Sequence, residues 1–468
     1  MNEDSLVLVY HVLAWSEYFK QSRLCAFTMD LGSYVNSLRD AGLLKVVNSP
    51  MSVEFDIPLV AHRFTGTGPA LLFNSIKGYP GFRAVANILD TRVKLMRTLG
   101  VGSIEEAYVK LLEAEANPLE PSEVNDTPLV KLPQVDLRTL PIPRFFEREP
   151  GPCLTSGVVL GLGDYVNASF HRLTVIDKDK FVIRLVPRHL YRIFNENRAK
   201  GHDTPIAIVW GAHPAFLLAA ASSPPYGVSE LAVANRIMNG GLRVFRLGNG
   251  VPAPVDAEVV MEGYILKDTE HDEGPCVDIM GTYDTVRRQP VVKVTAIYVK
   301  PNPLVHVLVA GDAENSILMG FEKEVKIWNA VRAVADVKAV RLTRGGGGWL
   351  HAVIAIRKAV EGEGKNAILA AFAAHPSLKH VIVVDDDINI DDPHEVEWAI
   401  ATRFRADEDL VIISNVRGSS LDPAAIDQSI GLTTKMGIDA TRPLNREQWR
   451  FERARIPVRI NIDEVKLE

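Results

Sequence analysis

The run Asp272-Glu-Gly-Pro-Cys-Val-Asp278 sets two carboxylates, Glu273 and Asp278, on either side of a Gly-Pro step. Proline fixes φ and cannot donate a backbone hydrogen bond, while glycine admits angles closed to other residues, so the acids are held apart on a stiff frame. Such a pair suits general acid and base work, or it is a solvated turn. A second run, Asn167-Ala-Ser-Phe-His-Arg172, gathers an amide oxygen, a hydroxyl and a guanidinium at the start of a strand-like stretch. It offers a metal or phosphate ligand and a fixed cation, or it is a polar strand edge. Arg188 and His189 close the run FVIRLVPRH, and Glu230 ends PPYGVSE where Gly227 and Ser229 announce a helix start. The helix dipole alone accounts for a glutamate there. Asn167, His189 and Glu230 nevertheless form an N/O donor set suited to Mg2+ or Mn2+. They are spaced too widely to make a local metal motif, so only the fold can unite them.

Three further stretches carry less. Arg344-Gly-Gly-Gly-Gly-Trp349 is glycine-rich but lacks the Gly-Lys-Ser/Thr ending of a phosphate loop and reads as a loop between strands. VVDDDINIDD (383–392) has the acid density of a metal site and equally that of an ion-pair network. Cys276 with His271 resembles a nucleophile pair without a third member.

The elements that must position these groups change character along the chain. From Met29, MDLGSYVNSLRDAGLLKVV shows helical spacing that stops at Ala41-Gly42 before a strand, and residues 1–28 read as an extension. A strand in PALLFNSI precedes a helical stretch over about 82–115, then a Pro- and acid-rich covering loop over 116–150. Residues 154–299 carry short β-branched runs with one helical interruption near 226–240. A long amphipathic helix over 313–335 then leads into alternating strand and helix, the signature of a mostly parallel α/β layer. The fold class is α/β, in full an α+β multidomain chain: extension 1–28, N-terminal α/β region 29–115, β-rich domain 116–312, linker helix 313–335 and C-terminal α/β domain 336–468.

The 468 residues allow two to four domains on a prior of roughly 100–200 residues each. A net charge of −6 leaves no basic footprint, which disfavours nucleic acid. Three separated cysteines suit a reducing, cytoplasmic setting. The apolar run LVLVYHVLAW is too short for a membrane span. Only five glutamines among many Val, Ala and Arg residues suggest heat adaptation.

Taken in order, NASFHR, RLVPRH, PPYGVSE, VVMEGYI, HDEGPCVD and TTKMGIDAT resemble the motif series of the UbiD family of reversible decarboxylases, from Met29 to about Thr441. The resemblance implies a split-barrel domain that binds prenylated FMN, joined by a long helix to an α/β domain used for homo-oligomerisation. It implies Asn167, His189 and Glu230 as ligands of a Mn2+ (or Mg2+) ion on the flavin phosphate, with K+ beside it. Ser169, Phe170, His171, Arg172, Arg188 and His189 would line the cofactor, and Lys435 would add a cation near its phosphate. A flavin prenyltransferase would supply that cofactor. Arg172, Glu273 and Asp278 would be the catalytic trio, with Asp278 donating the proton that replaces CO2 and Glu273 orienting Arg172. The implied reaction is non-oxidative decarboxylation of an α,β-unsaturated acid, with trans-anhydromevalonate 5-phosphate giving isopentenyl phosphate as the candidate and aromatic acids as the alternative. Where many members have Phe-Gly, this chain has Cys276-Val277, and His171 stands where a tyrosine or small residue is frequent. Rival readings from the residues are a flavin-binding subunit without catalysis and a metal hydrolase.

Overall fold

Asp30 caps the first described helix: its carboxylate accepts from Ser33 N at 2.6 Å, and Leu31–Asp40 follows with Leu31, Tyr34, Val35 and Leu38 buried on one face. Gly42, at φ 70°, ends it before the strand Leu44–Val47, as the sequence predicts. The structure is a computed structural model that describes residues 30–427, 430–454 and 456–457. The extension read for 1–28, with its apolar run and Cys25, lies outside the described residues.

The chain forms two units: one of residues up to 325 with 342–350, the other of 326–341 with the residues from 351 onward. The long helix expected after residue 312 runs Ala313–Val331 and crosses that boundary.

Two expectations fail within the first unit. Residues Arg83–Ala86 are a strand, not part of a helix, because RAVA sits between two partners, antiparallel to Ala70–Phe73 and parallel to Leu304–Val307. A run buried on both faces shows no alternation, so its period cannot distinguish strand from helix. The region 154–299 also holds three helices instead of one: His189–Ala199, Pro214–Ala221 and Glu230–Ile237. PAFLLAAA is buried almost all round and so lacks the amphipathic signal that reveals a surface helix.

The site depends on one nine-stranded antiparallel sheet. Its order is Cys153–Leu154, Leu173–Asp177, Lys180–Ile183, Arg287–Val299, Val259–Glu273, Thr204–Trp210, Val158–Leu162 and Val166–Phe170, with Val130–Lys131 added on Arg287–Val299. Val166–Phe170 and Leu173–Asp177 lie six steps apart in that order, about 29 Å in a flat sheet at ~4.8 Å per strand. Only His171 and Arg172 join them, a link that reaches roughly 10 Å. The sheet must therefore curl until its ends meet, which makes the half-barrel. His171 and Arg172 are the seam.

The second unit is a five-stranded sheet in the order Asp336–Leu342, His351–Arg357, His380–Asp385, Leu432–Ala440, Leu410–Arg417, covered by the helices Glu363–Ala374 and Pro393–Arg403. Its central pairs are parallel and Leu410–Arg417 is an antiparallel edge, close to the expected α/β layer. Among the described residues no helix is long and apolar enough to cross a membrane.

Candidate active site

Arg172 leaves the seam and meets Glu273 at the end of the long strand Val259–Glu273. Its Nε donates to Glu273 Oε1 at 2.6 Å and its Nη2 to Oε2 at 2.9 Å. This two-pronged pairing matches the planar fork to both carboxylate oxygens. The Glu273 side chain is fully buried and that of Arg172 is 12% exposed, so neither turns away from the other. Arg172 Nη2 also donates to Asp284 Oδ2 at 3.1 Å, and Arg287 Nη1 donates to Asp284 Oδ1 at 2.6 Å. Sequence reasoning missed Asp284 and Arg287. The available signal was register: Arg287 stands directly across the ladder from Glu273.

Asp278 sits on the turn beyond. Gly274 has a φ of 96°, which glycine adopts without strain, and the Gly274–Pro275 peptide is cis. One Asp278 carboxylate oxygen accepts from Met280 N at 2.8 Å, and no described cation forms an ion pair with this side chain. Burial, with the Asp284 charge adding to it, pushes its carboxyl up to about 6. The glycine run read as a loop proves to support this turn. A Cβ on Gly347 would stand 2.6 Å from Met280 Sδ and 3.1 Å from Ile279 O. Glycine there permits the close approach that packs the loop beneath Asp278's own turn.

At the other end of the seam the proposed ligands converge. Asn167 Nδ2 donates to Glu230 Oε1 at 2.9 Å, Ala168 N donates to Glu230 Oε2 at 2.8 Å, and His189 Nδ1 lies 3.8 Å from Glu230 Oε1. Glu230 and His189 each open a helix, Glu230–Ile237 and His189–Ala199, so two positive helix ends meet at one point. Tyr226 stacks edge-on against the His189 ring at 5.5 Å. A carboxylate, an imidazole and an amide would hold a divalent cation, and the two helix N-termini would favour an anionic phosphate beside it. Among the described residues no group of three or more His, Cys, Asp or Glu side chains is arranged to hold a metal ion, and the set here counts two such residues and an asparagine.

A polar chain joins the two ends. Ser169 Oγ lies 2.9 Å from Asn167 Oδ1 and 3.0 Å from His171 Nε2, and His171 Nδ1 donates to the Arg184 carbonyl at 2.9 Å. A carbonyl only accepts, so Nδ1 carries the proton. Burial pushes His171 down to about 4, which keeps it neutral. The seam histidine is thus a hydrogen-bond relay and adds no charge. Phe170 ends the edge strand, and Arg188, exposed at the helix start, lies 6.0 Å from the Trp349 ring centroid.

The remaining sequence candidates have partners of their own. Cys276 is buried, with its Sγ 3.7 Å from Thr174 Oγ1, and Cys153 Sγ stands at the same distance from that hydroxyl. His271 is exposed and bonds the Asp272 carbonyl, so the two do not form a nucleophile pair. Lys435 belongs to the second unit, where its amine donates to the Pro376 carbonyl at 2.6 Å and faces the Phe372 ring at 5.2 Å. The acid run 383–392 is an ion-pair network: Arg403 joins Asp385 at 2.6 Å and Asp387 at 2.8 Å, while Arg341 holds Asp391.

Three family models cover nearly the whole described chain. The N-terminal, Rift-related and C-terminal domains of 3-octaprenyl-4-hydroxybenzoate carboxy-lyase match residues 35–114, 120–313 and 316–440. The anhydromevalonate phosphate decarboxylase of Aeropyrum pernix is 48% identical over 416 residues, 88% of this chain and 93% of that one. The protein of the same name from Methanosarcina mazei is 42% identical over 433 residues, 92% of this chain and all of that one. Among solved structures, the UbiD-class enzyme HmfF from Pelotomaculum thermopropionicum with FMN aligns at a TM-score of 0.88 and 36% identity, covering 93% of this chain and 99% of that one. Its evolved dimeric form with prFMN aligns at 0.84 and 33%, covering 94% and 99%. With a curled sheet whose seam joins the Arg172–Glu273 pair to Asn167, His189 and Glu230, and with family models matched across all three domains, this chain belongs to the UbiD family of carboxy-lyases.

Proposed function

We infer that this chain is a prenylated-FMN-dependent decarboxylase of anhydromevalonate phosphate, releasing CO2 and leaving isopentenyl phosphate. The observation that carries the chemistry is Asp278: a half-buried carboxyl near 6 with no ion pair among the described residues, beside an Arg172–Glu273 pair that is fully matched. The relatives of that name support the substrate.

Asn167, His189 and Glu230 would hold a Mn2+ or Mg2+ ion against the flavin phosphate, with K+ alongside. Ser169, Phe170, His171 and Arg188 would line the flavin. Lys435 is a weaker member of the proposed set, since its amine already has a carbonyl partner within its own unit. Bound prenylated FMN supplies the sink for the electrons that the departing carboxylate leaves behind. The chain's own residues do the rest. Asp278, protonated at the start, gives its proton to the carbon that lost CO2, so that one C–C bond breaks and one C–H bond forms. Arg172 faces the reacting acid as a cation whose orientation Glu273 and Asp284 maintain. A carboxyl near 6 gives up and regains a proton readily around neutrality.

The test is CO2 release by protein co-expressed with a flavin prenyltransferase, the proposed cofactor source. Turnover of trans-anhydromevalonate 5-phosphate to isopentenyl phosphate is expected, and activity on hydroxybenzoate-type acids alone overturns the substrate assignment. We further propose a homo-oligomer in the cytoplasm, for which light scattering of the holoenzyme supplies the mass.

A further inference from the structure

In the cluster around Glu273 one guanidinium stands near carboxylates without hydrogen bonding to either. Three arginines, Arg172, Arg184 and Arg287, face two carboxylates, Glu273 and Asp284. Arg172 occupies both oxygens of Glu273. Asp284 Oδ1 takes Arg287 Nη1 at 2.6 Å and Thr285 N at 2.9 Å, and its Oδ2 takes Arg172 Nη2. Arg184 Nε is left 3.9 Å from Glu273 and 3.6 Å from Asp284, beyond direct hydrogen bonding. Among the described residues none accepts a hydrogen bond from its side chain, which is only 16% exposed. None of its side-chain nitrogens is sealed from solvent, so its donors stay open to the oxygens of a ligand.

Its backbone is fixed meanwhile. Arg184 N donates to the Arg172 carbonyl at 3.0 Å, its own carbonyl accepts from His171, and Leu185 N donates to Gln289 Oε1 at 2.8 Å. The side chain therefore starts from a pinned position next to Arg172.

We propose that Arg184 binds the phosphate group of the substrate, making it the residue that selects a phosphorylated acid over an unphosphorylated one. This rests on the decarboxylase reading above. The substrate carries two anionic ends, and the physics separates them. Arg172 already faces the carboxylate end, whose charge is lost as neutral CO2 forms, so a second guanidinium there would add nothing that lasts into the transition state. A phosphate keeps its charge throughout, so a clamp on it anchors the molecule at no cost to the barrier. The planar fork suits two phosphate oxygens at once.

The test compares wild-type and R184Q holoenzyme on trans-anhydromevalonate 5-phosphate and on the same acid lacking phosphate. R184Q is expected to lose about 100-fold in kcat/KM on the phosphorylated acid, chiefly through KM, and to change less than about threefold on the other. R184K should recover part of the loss, and inorganic phosphate should inhibit wild type at least about tenfold more strongly than R184Q. The flavin absorbance of each variant reports a folded, loaded site and separates substrate phosphate from flavin phosphate. Equal losses on both acids, loss of bound flavin, or full activity of R184Q on the phosphorylated acid would each overturn the proposal. If wild type turns over neither acid, the decarboxylase reading fails instead. Binding of inorganic phosphate to wild type and R184Q holoenzyme by calorimetry then decides the anion site alone, and equal affinity sinks it.

Discussion

Two acid-and-arginine clusters, one in each unit, look alike in sequence and differ in how their charges are matched. In the second unit Arg403, fully buried, spans Asp385 and Asp387, and Arg442 adds its backbone N–H to Asp385 at 2.8 Å. Both carboxylates have cations within hydrogen-bonding distance. In the first unit Arg172 and Glu273 are equally well paired, yet beside them, among the described residues, Asp278 has backbone donors but no ion pair and the Arg184 side chain has no hydrogen-bond acceptor. Matched pairs hold a fold together, whereas an acid without an ion pair and a guanidinium without a hydrogen-bonded acceptor are available to do something. Burial raises Asp385 as it raises Asp278, so a shifted acid alone does not mark a site; the absence of a cationic partner does.

The comparison breaks most visibly at its unmatched acid. D278N should lower turnover by about 100- to 10,000-fold while the flavin band persists, and a variant that still decarboxylates removes Asp278 as the proton donor. The same substitution should stabilise the fold at neutral pH. Asp278 rises from 3.8 to about 6 on folding, so its favourable contribution is present below about 4 and disappears as pH climbs through about 6. The Tm gain of D278N over wild type is therefore expected above about pH 6 and absent below about pH 4; a pH-independent difference contradicts the assignment.

The matched cluster should respond in the opposite sense. R403M leaves Asp385 buried without its main cation and is expected to cost about 3–5 kcal/mol in denaturant unfolding, with turnover per folded molecule unchanged. A loss of turnover without a loss of stability would show that this cluster also serves the reaction.

Asp284 lies between the two cases, since it matches Arg172 and also raises Asp278. D284N should reduce kcat about tenfold by loosening Arg172. Because Asp278 must begin protonated, wild-type turnover should decline as pH rises through about 6, and D284N should move that decline to lower pH. An unmoved decline would mean that burial alone, the larger cause, sets this group.

The smallest effect belongs to Cys276. Its sulfur rests against Thr174 in the same pocket as Cys153, so C276S exchanges one weak contact for a hydroxyl with a partner at hand. Stability should shift by less than about 1.5 kcal/mol and turnover by less than threefold or so. A large change in substrate preference would instead make this position a reader of the acid, as its departure from the family pattern first suggested.

Much of the site was legible as composition without coordinates. NASFHR, PRH, PPYGVSE and DEGPCVD named Asn167, Arg172, His189, Glu230, Glu273 and Asp278, and the structure draws the metal-type set together and pairs Arg172 with Glu273. Asp284, Arg184 and Arg287 were not legible, because an aspartate and two arginines in strand ends are ordinary until a ladder sets them against Glu273. Elements failed where burial erased periodicity: RAVA reads as helix because both of its faces are apolar, and PAFLLAAA gives no amphipathic stripe. The acid run of the second unit remained ambiguous for the complementary reason, since its arginines come from residues 341, 403 and 442.

By itself the amino-acid sequence determined which side chains stand on stiff or capped local frames: Glu273 and Asp278 around Gly-Pro, Glu230 behind its Ser229 cap, the helix after Asp30. Those are decided within a few residues by φ restrictions and by unsatisfied backbone donors, and need nothing distant. Tertiary structure decided which charges would be matched. Whether Arg172 or Arg184 would occupy Glu273 depends on where a curled sheet closes its seam, a position fixed by strands up to six steps apart in pairing order. Coulomb energy and desolvation depend on separations of a few ångströms and on burial, and neither is a property of any one segment.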